Sequence, residues 1–102
     1  MSYSVRFTAQ ARGDLLRLVA FLSERDPAAA AHARTAIGEA VSLLERFPLS
    51  CRMPDASRPR IRELLIPFGR SGYVALFEID DAETVTLLAF RHQREDDYFG
   101  AE

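Results

Sequence analysis

The chain opens with an alternation. Tyr3, Val5 and Phe7 fall on one side and Ser4 and Arg6 on the other, which predicts a short strand over residues 2–7. Thr8 then suits a helix N-cap. From Ala11 the apolar positions Ala11, Leu15, Leu18, Val19 and Leu22 recur at helical spacing and predict an amphipathic helix over about residues 9–24. Asp26-Pro27 restarts a helix in favoured form. The acid caps, and the proline takes the first turn, where its missing N–H costs nothing. Ala30, Ala33, Ile37, Ala40, Val41, Leu44 and Phe47 continue that stripe until Pro48 ends it. Helices joined by so short a turn form an antiparallel hairpin. Gly38 within the second helix costs about 1 kcal/mol relative to alanine, which predicts a close packing contact there.

Residues 48–60 hold Pro48, Pro54 and Pro59 with no period and read as a loop. The pattern then changes to period two. It predicts strands over residues 60–66, 73–79 and 84–91, with turns at 67–72 and 80–83. Three strands with short connections form an antiparallel meander. The order β-α-α-β-β-β makes this an α+β domain, an antiparallel sheet with a helical hairpin packed on one face. At 102 residues it is one domain, residues 1–102. The pattern leaves the place of the first strand in the sheet open.

The late strands are apolar on both sides, although a solvated antiparallel face normally reads polar. Two helices cover one face. Leu64, Ile66, Val74, Leu76, Leu88 and Phe90, or the mirror set, are therefore expected to lack internal cover and to form a partner surface. Sheet curvature and the 48–60 loop offer the alternative cover.

Composition sharpens the picture on its basic side. All 13 positive residues are arginine, with no lysine, and the net charge is −2. Lysine-dependent chemistry is excluded, and so is non-specific nucleic-acid binding through bulk charge; direct DNA binding is not expected. The charges are unevenly spread. Arg52, Arg58, Arg60, Arg62 and Arg70 crowd residues 51–70, while residues 71–102 are acidic. This asymmetry fits either two solvated faces or a macromolecular partner. The single Cys51 excludes an internal disulfide and reads as a spare loop thiol. No apolar run approaches the roughly 20 residues of a membrane span. The start, Met-Ser-Tyr-Ser-Val-Arg, has no apolar signal-like stretch. A cytoplasmic location is expected.

The densest chemistry follows the last strand, in Phe90-Arg91-His92-Gln93-Arg94-Glu95-Asp96-Asp97-Tyr98. His92 has the chemistry of a general base, Arg91 and Arg94 that of phosphate binders, and Tyr98 that of a stacking platform. Against this, Glu95, Asp96 and Asp97 would repel phosphate and could neutralise the same arginines, and His92 equally suits a hydrogen-bonded structural role. The grouping is not a metal signature, and neither metal nor cofactor is expected.

Four segments together resemble the RelE/ParE superfamily of type II toxin–antitoxin toxins. They are residues 7–15 (Phe-Thr-Ala-Gln-Ala-Arg-Gly-Asp-Leu), the stretch Arg62-Glu63-Leu64-Leu65, residues 72–77 (Gly-Tyr-Val-Ala-Leu-Phe) and residues 91–96 (Arg-His-Gln-Arg-Glu-Asp). The resemblance spans nearly the whole chain and implies one of two activities. RelE-like members cleave mRNA on the ribosome, without a metal, through a basic cluster. ParE-like members poison DNA gyrase. Positions that are basic in the ribonuclease branch fall at Leu65, Pro67 and Val74 here, and only Arg94 of the set survives, with Tyr98 a loose match. Metal-free phosphodiester cleavage needs cations at the developing charge. The His92-Gln93-Arg94-Glu95-Asp96 run instead resembles the ParE-like branch.

The resemblance therefore implies a gyrase-binding toxin with Arg91, His92, Arg94, Glu95, Asp96 and Tyr98 facing the target. A cognate antitoxin, ParD-like or similar, would lay its C-terminal segment over Arg60, Arg62, Leu64, Ile66, Val74, Leu76, Leu88 and Phe90. An acidic antitoxin segment would complement Arg58, Arg60, Arg62 and Arg70. The alternatives are a ribonuclease using Arg60, Arg62, Arg70, His92, Arg94 and Tyr98, and an inactive toxin-like scaffold.

Overall fold

The computed structural model describes residues 2–69 and 71–94. Its elements are β1 (Ser4–Phe7), α1 (Ala9–Arg25), α2 (Pro27–Arg46), a 3-10 turn (Pro48–Ser50), β2 (Ile61–Phe68), β3 (Ser71–Ile79) and β4 (Thr84–His92). No helix among the described residues is long and apolar enough to cross a membrane.

The helix ends follow the capping chemistry. Thr8 Oγ1 accepts the Ala11 N–H at 3.0 Å and starts α1. Asp26 serves two helices. Its N–H donates to Leu22 O at 2.7 Å to close α1. Its carboxylate then accepts the N–H groups of Ala28 and Ala29 to open α2, with Pro27 in the first turn. The core stripe of the hairpin is Ala11, Leu18, Ala30, Ala33, Ile37 and Leu44. Gly38 is no part of it. It faces solvent, and a Cβ there would meet nothing within 4 Å, so the expected packing contact is absent.

The sheet order is β1-β4-β3-β2. β2, β3 and β4 form the antiparallel meander, while β1 lies parallel to β4 on the far edge. The sheet is thus mixed but mostly antiparallel. β1 is tied to the hairpin as well, since Tyr3 N–H donates to Glu45 O at 2.7 Å. β2 runs two residues beyond the expected Ile66, through Pro67 and Phe68, and the turn carries Gly69 at φ 61°. Pro67 is tolerated there because β2 is an edge strand, where a missing N–H breaks no ladder bond.

The expected uncovered face is corrected by the register. Residues opposite one another share a face. Leu64 pairs with Ala75, and Ala75 with Phe90; Leu65 pairs with Val74, and Val74 with Arg91. Leu64, Ile66 and Phe90 therefore belong to the helix side with Tyr73, Ala75, Phe77, Val85 and Leu87, where Ile66 and Phe90 join the core. Val74 and Leu76 lie on the opposite face with Leu65 and Ala89. The predicted set fails as one surface because Leu64 and Ile66 lie opposite Ala75 and Tyr73, out of phase with Val74 and Leu76, and because β4 bulges. Leu76 faces Ala89 while Phe77 faces Leu87, so Leu88 is unopposed and the alternation inverts beyond it. Val74 is also buried, at 1% exposure, within the chain itself. Burying Phe77, Phe90, Leu87 and Val85 completely contributes roughly 1.5–3 kcal/mol each.

Candidate functional site

Two places on this scaffold carry candidate function. The first is the end of β4. Arg91 lies on the outer face in a row with Val74 and Leu65, while His92 is opposite Tyr73 on the helix side. The Tyr73 ring meets the imidazole edge-on, with centroids 5.7 Å apart, and stacks on Phe68 at 5.6 Å. Burial pushes the Tyr73 phenol above its usual range. Gln93 N–H donates to Gly72 O at 2.8 Å, and Arg94 N–H donates to His92 Nδ1 at 3.1 Å. Arg91 Nη1 reaches the carbonyls of His92 and Gln93 at 3.3 and 3.4 Å. His92 Nδ1 is thereby engaged in shaping the turn, which fits the structural reading of that imidazole more closely than proton abstraction through the same nitrogen. Arg94 is exposed. Arg70, Glu95, Asp96 and Tyr98, named as candidates from sequence, lie outside the described residues.

Among the described residues, the ribonuclease stand-ins Arg62 and His92 are not gathered. Arg62 pairs with Phe77, whereas His92 pairs with Tyr73. Four residues along β3 separate these rows by about 13 Å at strand rise. Arg62 is also committed elsewhere. Its Nη1 donates to Leu49 O and Cys51 O, both at 3.0 Å, and its Nε to Pro59 O at 2.9 Å. One guanidinium thus ties both ends of the 48–60 loop to β2. Arg60, its neighbour, remains exposed.

The loop brings two further features that period alone could not show. Arg52 pairs backbone and side chain with Glu63, with Glu63 N–H to Arg52 O at 2.9 Å and an ion pair of 3.0 Å. Cys51 is buried in the core cluster rather than exposed on the loop, and burial pushes its thiol up, outweighing the Ser50 hydrogen bond and the Arg62 charge.

The second place is a groove of about 410 Å³ between α2 and β2. Ala36, Glu39, Ala40 and Leu43 line one wall, and residues 64–67 of β2 the other. Leu65 is 46% exposed and Leu43 38%. Glu63 directs its N–H outward from the sheet, so Leu65, two residues on, directs its backbone groups the same way. The groove therefore joins an apolar floor to an open sheet edge. Phe47, Leu49 and Met53 are also exposed apolar side chains. Of the expected antitoxin contacts, Leu64 and Ile66 border this groove, while Val74 and Phe90 are enclosed by their own chain.

Sequence reasoning passed over Asp14. It is 4% exposed, and its Oδ2 accepts the Phe90 N–H at 2.9 Å across 76 residues of chain. Gln10 Nε2 lies 3.2 and 3.3 Å from its two oxygens. The signal was present: Ala11, Asp14, Leu15 and Leu18 fall at one helical face, and an acid within that stripe needs a buried partner.

A family described as the ParE toxin of type II toxin–antitoxin systems, parDE, matches residues 5–97. Toxin RelE1 of Caulobacter vibrioides is 35% identical over 79 residues, which cover 78% of this chain and 82% of that protein. A solved structure of the chromosomal ParDE system from P. aeruginosa shares the fold, with a TM-score of 0.69 at 22% identity, over 88% of this chain and 95% of that one. With a match across nearly its whole length, the chain belongs to the ParE toxin family of type II toxin–antitoxin systems.

Proposed function

We propose that this chain is the growth-inhibiting half of a toxin–antitoxin pair, that it acts by binding DNA gyrase rather than by cutting RNA, and that a cognate antitoxin silences it. The observation that supports binding over cleavage is the chemistry at the positions where the ribonuclease branch is basic. Leu65 and Pro67 are exposed but uncharged, and Val74 is buried. The nearby Arg62 is spent on the loop. A cleaving site would lack the clustered cations that stabilise a pentavalent phosphate. The exposed end of β4, with Arg91 and Arg94, is the target-facing element in this reading.

The α2–β2 groove supports the antitoxin half. A disordered tail that folds on binding would lay apolar side chains on Leu43 and Leu65 and pair its backbone with the open edge of β2. Arg58 and Arg60 lie at the other end of β2, where an acidic segment would be complementary. The pair would work in the cytoplasm without metal or cofactor.

Induced expression of the chain alone tests this. Filamentation with double-strand DNA breaks is the expected outcome. Immediate translation arrest with cut mRNA would transfer the assignment to ribosome-dependent cleavage, a reading that the name of the Caulobacter relative makes the natural comparison. Normal growth would leave only the inactive scaffold.

A further inference from the structure

The last paired residue of β4 is His92, opposite Tyr73. One residue on, Gln93 N–H still reaches Gly72 O at 2.8 Å. Among the described residues, Arg94 N–H meets no further strand and donates to His92 Nδ1 at 3.1 Å. A side chain that accepts the N–H two residues ahead closes a turn of the kind aspartate and asparagine make. Asp26, Asp55 and Asp81 accept in this way from Ala28, Ser57 and Glu83, at 3.1, 3.0 and 2.8 Å. At the end of β4 an imidazole takes the place of the carboxylate.

The surroundings aim that ring. Tyr73 meets it edge-on at 5.7 Å and is backed by Phe68 at 5.6 Å. Arg91 Nη1 reaches the carbonyls of His92 and Gln93 at 3.3 and 3.4 Å, which braces the backbone between them. Arg94 is exposed, and the described bond that sets how it leaves the sheet is the one to His92.

An imidazole and a carboxylate respond differently to acid. Hydrogen bonds from Ser57 Oγ and N–H hold the Asp55 carboxyl below its usual range, so that turn keeps its acceptor in mild acid. A neutral imidazole that accepts at Nδ1 carries its hydrogen on Nε2, and once Nδ1 is protonated no acceptor is left. The titratable and charged groups that the described contacts bring around the ring come from three elements. They are Tyr73 of β3, Asp14 of α1, which holds the Phe90 amide two residues back, and Arg91 and Arg94 of its own turn. Burial raises the Tyr73 phenol and keeps it neutral, and Phe68 of β2 adds no charge. Protonation therefore removes the turn bond and adds a third cation beside Arg91 and Arg94.

We infer that His92 is a positioning residue: its neutral imidazole closes the turn that presents Arg94, and acid opens that turn. The consequence for toxicity rests on the gyrase-binding reading above; the hydrogen bond does not.

The test uses the full chain, made by cell-free synthesis with nitrogen-15 labels. The nitrogen–nitrogen coupling across the bond from Arg94 N–H to His92 Nδ1 is expected at about pH 8 and should vanish by about pH 5, with the amides of the core strands unmoved. His92→Asn supplies an acceptor that does not titrate, so the temperature coefficient of the Arg94 amide should mark a bonded group at both pH values. His92→Phe keeps a ring against Tyr73 but no acceptor, and the same coefficient should mark an unbonded group at both. With purified gyrase at about pH 8, His92→Phe should need about 3- to 10-fold more toxin for half inhibition of supercoiling, the worth of one hydrogen bond. His92→Asn should recover most of that loss. Should His92→Phe fail to fold, His92→Leu replaces it, and the pH response of the native chain needs no variant. A native chain without the coupling at about pH 8, or with it intact at about pH 5, overturns the inference. Equal loss of potency in His92→Asn and His92→Phe overturns it too, because the imidazole would then meet the target itself, and so does full potency in His92→Phe. A native chain that shows the coupling and its loss in acid but leaves gyrase untouched defeats the target-binding reading and leaves the turn standing.

Discussion

One substitution made at three glycines should give opposite results, and the structure supplies the sign of each. At Gly72 an added Cβ would lie 2.1 Å from Ile66 O and 2.9 Å from Gln93 Nε2. Ordinary C···O contacts begin at about 3.3 Å, so something must move by roughly 1 Å. Gln93 can swing aside, but Ile66 O cannot, because Ile66 sits opposite Tyr73 in the β2–β3 ladder. Gly72 O also accepts from Gln93 N–H, so the displacement spreads to the end of β4. Overpacking costs about 1–3 kcal/mol, and one or two weakened ladder bonds add about 1 kcal/mol each. Gly72→Ala should therefore lose about 3–4 kcal/mol, a large share of the roughly 5–15 kcal/mol that holds a domain of this size. Gly13 and Gly38 sit in helix interiors with nothing within 4 Å of an added Cβ. Alanine there should gain about 0.5–1 kcal/mol each by restricting the unfolded chain. At about 4–8 °C per kcal/mol, thermal melts followed by circular dichroism should place Gly72→Ala roughly 12–30 °C below the native chain and Gly38→Ala a few degrees above it. A Gly72→Ala protein that melts with the native chain, or a Gly38→Ala protein that melts below it, would refute the packing described.

Other outcomes follow from the loop, the thiol and the groove. Arg62→Met should free the 48–60 loop at a cost of about 1–3 kcal/mol and open it to limited proteolysis before the helices are cut, since its guanidinium bridges Leu49, Cys51 and Pro59. Cys51 should react slowly with a thiol reagent in the native chain and much faster in Arg62→Met; equal rates would place the thiol outside the core. Because burial raises the thiol pKa, this group's contribution to stability is fully present below the ordinary thiol range and is lost as pH rises through the raised value. The urea midpoint should therefore fall more steeply at alkaline pH in the native chain than in Cys51→Ala. Leu43→Glu combined with Leu65→Glu should leave the melting temperature within a few degrees while reducing antitoxin affinity at least tenfold, measured by titration calorimetry; an undiminished affinity would place the antitoxin elsewhere.

The elements were legible because capping and period are local. Thr8, Asp26-Pro27 and Pro48 mark helix ends through bonds within a few residues, and the alternation of β3 needs only its own side chains. What stayed hidden depends on contacts distant in sequence. The expected apolar face mixed two sides of the sheet, because the β2–β3 register sets Leu64 and Ile66 out of phase with Val74 and Leu76, and because a one-residue bulge at Leu88, which leaves no trace in composition, reassigns every residue after it. The parallel seat of β1 depends on the meander ending beside it. Arg62 looked like a surface cation and proved to be a loop clamp, because its acceptors are carbonyls, which no side-chain pattern announces. Asp14 is the opposite case: an acid within an apolar stripe was readable from α1 alone, although its partner at Phe90 was not. The candidate groove was half visible: Leu64 and Ile66, expected from sequence as antitoxin contacts, line it, as do Leu43 and Leu65, which the pattern did not single out.

The most direct measurement of the central claim is DNA supercoiling by purified gyrase in the presence of the purified chain. Inhibition is expected at a low molar ratio of toxin to enzyme and should be relieved in the variant carrying Arg91→Ala and Arg94→Ala, with ribosome-bound mRNA left intact in a parallel translation reaction. Undisturbed supercoiling together with cleaved mRNA would contradict it.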